Sequence, residues 1–452
     1  MPSGYDYLTN KAEDGFLKLV YLDLYDYLPK EKLESFKEEL KLFIAKNKLS
    51  PFGPFYSNDD NNRIDNIGRY IDRRAFSKIA TINFCKNEYL KQYAANVTIS
   101  LRNLSPSFLI VKYRFHINDG FKDRVNTICK TRYTSYSEIS RRINVPWYKP
   151  KRFGRAMYIG DNARTKALYA LISELKWIAY TELKRYFTIQ FEQDQLFPPS
   201  FETYSTNIRP NSDSNSIGFW HSIMSGHCTD YAPKYNACVN FENENSQYEG
   251  TSCSAYCGGN YSYIDNTPEI AQYQMADNYE VYLVANSIIR IAERDMALCN
   301  KWISKAINKG KTLPILKTRV CVEQKLYYSY RFISEFTGNT IFQEDAKAFR
   351  SRMYKNGSST ERCLKSIPEN TEEVKNQIDA LLNLLNDAAE YGSMKLNMNL
   401  QIFMMVVTVL SLIVAFVAML GINIADLKLL WDTICECFSQ LWDTICGYFS
   451  QG

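Results

Sequence analysis

Residues 400–421 read LQIFMMVVTVLSLIVAFVAMLG, an unbroken stretch without a single charge. As a helix rising 1.5 Å per residue, it is about as long as the ~30 Å hydrocarbon layer of a bilayer is thick. The competing reading is a buried core helix, but uniformly apolar core helices rarely exceed about 14 residues. The stretch predicts a transmembrane helix, and everything on either side is read from it.

On its N-terminal side, Asn370 is placed to cap a helix, with Glu373 three residues on, just after Pro368. That is the spacing of a capping box. Val374, Ile378, Leu381, Leu385 and Ala388 then recur at intervals of 4, 3, 4 and 3, the a/d seam of a left-handed coiled coil. A single packed helix gives the same pattern over two heptads. Between Ala388 and Leu400 only Gly392 weakens the helix. One helix is therefore expected to run from a soluble stalk into the bilayer.

On the C-terminal side, Leu430–Gln440 (LWDTICECFSQ) and Leu441–Gln451 (LWDTICGYFSQ) repeat one phrase. An 11-residue period keeps each face aligned along a helix axis. Asp432, Glu436 and Asp443 share a narrow polar stripe, and the remainder is Leu, Trp, Ile, Cys and Phe. An interfacial helix fits, although such helices usually carry Lys or Arg on the polar face. A second span at 427–450 also fits, its carboxylates facing a shared aqueous lumen, where rings of Asp and Glu favour cations. The balance tips toward the second span.

A long helix entering a first span, then Gly421-Ile422-Asn423, then a second apolar segment resembles the CorA-like, two-span GxN membrane proteins. Their usual motif is Gly-Met-Asn, and here Ile holds the middle position. The CRISPR-associated CorA-like effectors look closer, since they pair such a membrane part with an enlarged cytoplasmic domain. The resemblance implies an oligomeric channel or membrane effector acting in antiviral defence at the cell (inner) membrane. With no GxxxxGK(S/T), GxSxG or HExxH in the chain, an enzyme with a divergent site is the least favoured reading. By resemblance alone the effector's ligand would be a nucleotide messenger such as an S-adenosylmethionine–AMP conjugate, and Asn423 would join Asp432, Glu436 and Asp443 along the pore. A divalent-cation transporter, or a membrane-anchored scaffold without a pore, are the alternatives.

Composition sets the frame for the rest. A formal charge of +5 over 452 residues is mild and requires no nucleic-acid partner. The first thirty residues hold no uninterrupted apolar core of a signal peptide, so the bulk of the chain is expected in the cytoplasm. Twelve cysteines in this length are too sparse for a disulfide scaffold and are expected as reduced thiols.

Along the chain, 29–49 and 164–187 read as amphipathic helices, and 96–117 as two strands about a Ser105-Pro106 turn. Residues 188–280 are polar and poorly periodic, an insertion with short strands at most, while 282–309 and 318–336 return to helix. The expected class is an α+β cytoplasmic domain over 1–280, a helical stalk region over 281–399, and a C-terminal α-helical membrane region over 400–452.

Two clusters carry candidate chemistry. In SRRINVPWYKPKRFGRAMY, Arg141, Arg142, Lys151, Arg152 and Arg155 interleave with Trp147 and Tyr148. Guanidinium forks match phosphate oxygens and aromatic faces stack on bases, as a small nucleotide would require. The same residues could form a solvated basic face or meet anionic lipid. Cys228, Cys238, Cys253 and Cys257 have the ligand types of a zinc site, though only Cys253-x3-Cys257 approaches knuckle spacing, and free thiols are the simpler reading.

Overall fold

The computed structural model describes residues 16–49, 64, 67, 71, 76–84, 89–131, 136–141, 153–158, 160–193, 197–206, 230–232, 237–242, 252–258, 280–308, 312–337 and 358–419. Its Cα framework separates into two compact units, Met1–Ile291 with Phe332–Glu372, and Ala292–Arg331 with Glu373–Gly452.

The first unit is organised by a strand that lies near the N-terminus. In β1 (Leu17–Pro29, LKLVYLDLYDYLP) leucines alternate with polar and aromatic residues, the period of a pleated strand. Its partners are β5 (Phe108–Ile117) on one side and β8 (Ser200–Thr206) on the other, both antiparallel. β2 (Lys48–Leu49), β3 (Ser77–Asn83) and β4 (Ala94–Asn103) extend the β5 edge. The 4–5 hairpin turns at Ser105–Ser107, as the sequence predicts, and there Glu335 accepts hydrogen bonds from Ser105 Oγ at 2.6 Å and Ser107 N at 2.9 Å.

On the other edge stand β9 (Asp230–Ala232), β10 (Ala237–Glu242) and β11 (Ser252–Gly258). Among the described residues the sheet therefore runs β2-β3-β4-β5-β1-β8-β11-β10-β9, antiparallel except for β8 beside β11. The polar 188–280 region thus supplies strands of the main sheet. Its weak periodicity follows from short strands of three to seven residues, too brief to register as a pattern.

Helices cover one face of this sheet. α1 (Leu33–Lys46), α2 (Asp119–Lys130) and α3 (Gly160–Lys184) enclose Leu22, Leu24, Val97, Ile99, Tyr113 and Phe115. Phe187 joins the layers, its ring 5.3 Å from Tyr113 and 5.2 Å from Phe43. Asn118 caps α2 by accepting from Phe121 N at 2.8 Å. Leu168, Leu171, Leu175, Ile178, Ala179 and Leu183, at helical spacing along α3, are all buried. The short α4 (Gln190–Gln193) begins on Asp26, whose carboxylate accepts from Gln190 N and Phe191 N. The class is α+β, an antiparallel sheet with helices and a long apolar C-terminal helix.

The remaining helices are α5 (Glu280–Asn308), α6 (Thr312–Thr337) and α7 (Ser358–Met419). α7 starts twelve residues before the expected cap at Asn370. The earlier start has its own signature: Ser358 with Glu361 repeats the S/T-x-x-E spacing. Pro368 then lies inside the helix, and Glu373 accepts from Gln377 Nε2 at 3.1 Å instead of reaching back toward Asn370. In the second unit Val374, Ile378, Leu381, Leu385 and Ala389 are buried within a single chain. Ala389 packs with Ala306 of α5 and Ile315 of α6, and Ala388 lies partly buried beside them. These positions are therefore buried without a second copy, and at Ala389 the cover comes from α5 and α6. Asp295 on α5, 2% exposed, is met by Lys325 of α6 at 3.2 Å, a second tie between those helices.

Candidate membrane-spanning helix and ligand sites

Among the described residues the last buried position of α7 is Gly392. Beyond it the helix continues to Met419, and the large apolar side chains from Met394 to Met419 stand exposed on every side, among them Met405, Leu412 and Phe416 at 62–65%. Within Glu369–Phe416 the most apolar window reaches a mean hydropathy of 2.2, with none of it buried. Covering an apolar side chain is worth about 1.5–3 kcal/mol. With about half of each surface exposed, fifteen such residues left in water would forfeit roughly 10–25 kcal/mol, as much as the whole stability of a typical domain or more. Thr408 and Ser411 donate their hydroxyls to Met404 O and Val407 O, so the only polar side chains in the middle of the stretch are satisfied within the helix. This is a helix long and apolar enough to cross a membrane.

The other face of the sheet carries charge that sequence reading missed. On β5, Lys112, Arg114 and His116 alternate with Tyr113 and Phe115, so all three basic side chains fall on the face opposite the helical layer. Arg114 forms a forked pair with Asp23, Nε to Oδ1 at 2.8 Å and Nη2 to Oδ2 at 2.7 Å, both residues essentially without exposure. Breaking such a pair from one side strands a buried charge, which is why it fixes the β1–β5 register. Lys112 is equally buried, its ammonium 3.8 Å from the ring centre of Phe76. The signal was legible in VKYRFHI as three basic residues at period two.

His116 completes this network. Its Nε2 lies 3.0 Å from Thr98 Oγ1, which in turn lies 3.2 Å from Thr81 Oγ1, and Tyr21 packs edge-on against the ring. Burial, and next the Arg114 charge, push its pKa from 6.5 down to about 4, with Asp23 opposing. The folded protein holds the ring neutral while the unfolded chain protonates it near pH 6.5. Its stabilising contribution is whole above about pH 6.5 and is lost as the pH falls toward 4, at most about 3 kcal/mol. Urea titrations between pH 7 and 4 are expected to record that loss, and His116→Gln is expected to flatten it. An unchanged pH profile in the variant would place the titration elsewhere.

The basic, aromatic segment lies on a hairpin of β6 (Tyr136–Arg141) and β7 (Phe153–Tyr158). Its register sets Arg141 opposite Phe153 and Ile139 opposite Arg155, which places Arg141 and Arg155 on one face, diagonally across the strands. Arg142, Trp147, Tyr148, Lys151 and Arg152 lie outside the described residues, as do Cys228, Asn423, Asp432, Glu436 and Asp443 and with them the second span. Cys253 and Cys257 stand on β11 opposite Phe241 and Ala237, and Cys238 stands opposite Tyr256, one rung away from the Ala237–Cys257 pair. Among the described residues no group of three or more His, Cys, Asp or Glu is arranged to hold a metal. Cys129, Cys299 and Cys321 are free thiols. Burial raises Cys129 and Cys299 to about 11, which holds both protonated and unreactive.

Compared with protein families, curated proteins and solved structures, the chain has no match in any of the three.

Proposed function

We propose that the protein is a membrane effector anchored by α7, whose α+β unit binds a phosphate-bearing small ligand. The observation that carries this reading is the single helix α7, which buries its seam in its own chain and then continues, apolar on all sides, for a membrane's thickness. The pairing of Arg141 and Arg155 on one hairpin face supports the ligand. The pore and the nucleotide identity rest on the resemblance to CorA-like effectors, in which Asp432, Glu436 and Asp443 would line a lumen shared by several copies.

One observation favours a simpler reading, an anchored binding protein without a pore. The seam at Val374–Ala389 is already buried within the chain, so it does not call for a second copy.

Calorimetry on the full chain in detergent, titrated with an S-adenosylmethionine–AMP conjugate, tests the ligand. Each charge-assisted bond contributes about 1.5–3 kcal/mol, so Arg152→Ala with Arg155→Ala is expected to weaken binding at least about 100-fold. Absence of binding in the unaltered chain sinks the nucleotide assignment. Ligand-dependent cation conductance in planar bilayers separates the channel from the plain anchor.

A further inference from the structure

Between Asp295 and Glu323 the sequence holds six Lys and Arg and no acid. The described ones among them lie on α5 and α6 of the second unit, and the facing ends of those two helices are placed by a small core. Ala306 and Ile315, at the end of α5 and the start of α6, pack on Ala389, at the end of the buried part of α7. At 1.5 Å per residue, Ala389 is about 16 Å along the axis from Leu400, where the uncharged stretch begins. A headgroup layer of about 5–7 Å fills part of that distance, which leaves those ends about 10 Å outside the phosphates.

Beside these ends is an open groove of about 250 Å³ lined by Trp302, Lys305, Pro314, Lys317 and Cys321. Lys301 lies one turn before Lys305 on α5, and all three lysines are exposed. Arg319 is engaged by Glu323 at 2.9 Å and Lys325 by Asp295, so these two cations are already balanced. Lys301, Lys305 and Lys317 form the net positive surface that remains.

We propose that this surface docks on anionic phospholipid headgroups of the leaflet that α7 enters. The inference rests on the membrane-spanning reading of α7. Charge complementarity and distance support it, because the gap of about 10 Å is close to a Debye length at physiological salt. The four-carbon stems of the lysines and an ordinary helix tilt of about 20° close the gap on one side of the helix pair. The collar supplies from a distant part of the chain the basic residues that the sequence beside the span lacks, where only Lys395 precedes it.

The test uses the full chain reconstituted in bilayers of phosphatidylglycerol and phosphatidylcholine, with native mass spectrometry of the lipids that stay bound. The expected result is enrichment of phosphatidylglycerol, reduced at least about five-fold in Lys301→Gln/Lys305→Gln/Lys317→Gln, the effect of a single surface lysine. Carbonate-resistant insertion is expected to be the same in both proteins. Equal enrichment in the triple variant, or none in the unaltered chain, overturns the collar while leaving the span intact. Loss of insertion in the unaltered chain overturns the span itself, and the collar with it.

Discussion

Val407→Lys combined with Val409→Lys is expected to release the protein from membranes in alkaline carbonate, where the unaltered chain stays in the pellet. Both positions are exposed on α7 and lie 200° apart around the helix, so no single lumen or partner can shelter both ammonium groups. A lysine near the centre of a span costs about 2.5–3.5 kcal/mol, and two together oppose insertion by about 5–7 kcal/mol. Thermal unfolding of the first unit is expected to be unaffected, because both positions belong to the second unit and stand exposed there. A double variant that stays in the pellet would mean that the apolar surface is covered by protein rather than lipid.

Ile378→Asp carries the second large effect. Ile378 has no exposure, and its neighbours in the seam are buried with it. An unpaired carboxylate there loses the burial of the isoleucine and adds the cost of a stranded charge, together at least about 4 kcal/mol. The second unit is expected to unfold, and the midpoint is not expected to depend on protein concentration, because the seam closes within one chain. The milder Ile378→Ala is expected to lower stability by about 2–5 kcal/mol while keeping the unit folded. A folded Ile378→Asp chain that merely dissociates from an oligomer would show that the seam is intermolecular.

These two sites mark how much the sequence disclosed. The seam and the span were legible because their patterns are local. Apolar residues at 374, 378, 381 and 385 need only a helix to fall on one face, and a long uncharged run has few soluble explanations. What covers the seam was not legible, since Ala306 and Ile315 come from some seventy to eighty residues upstream and carry no mark of their destination. The start of α7 was misplaced because Asn370 and Glu373 make a plausible cap, while Ser358 and Glu361 make another farther on in the N-terminal direction.

The sheet repeats that lesson. The 4–5 hairpin was visible through its turn and alternating strands, but β1 was overlooked, although its leucines alternate, because Asp23 and Asp26 interrupt the apolar pattern. Those aspartates make sense only beside Arg114 and the start of α4, contacts that span 91 and 164 residues. The ligand segment was legible as composition, and its hairpin register emerged only from pairing at a distance.

The most direct test of the central claim is a depth profile along α7. Spin labels placed singly from Leu396 to Met419 in the full chain, in bilayers, report exposure to oxygen against exposure to a water-soluble nickel chelate. The account predicts a smooth rise in depth to a maximum near Val409–Ser411 and a symmetrical fall on either side. A profile that oscillates with the 3.6-residue helical period, or one that stays shallow throughout, would contradict it.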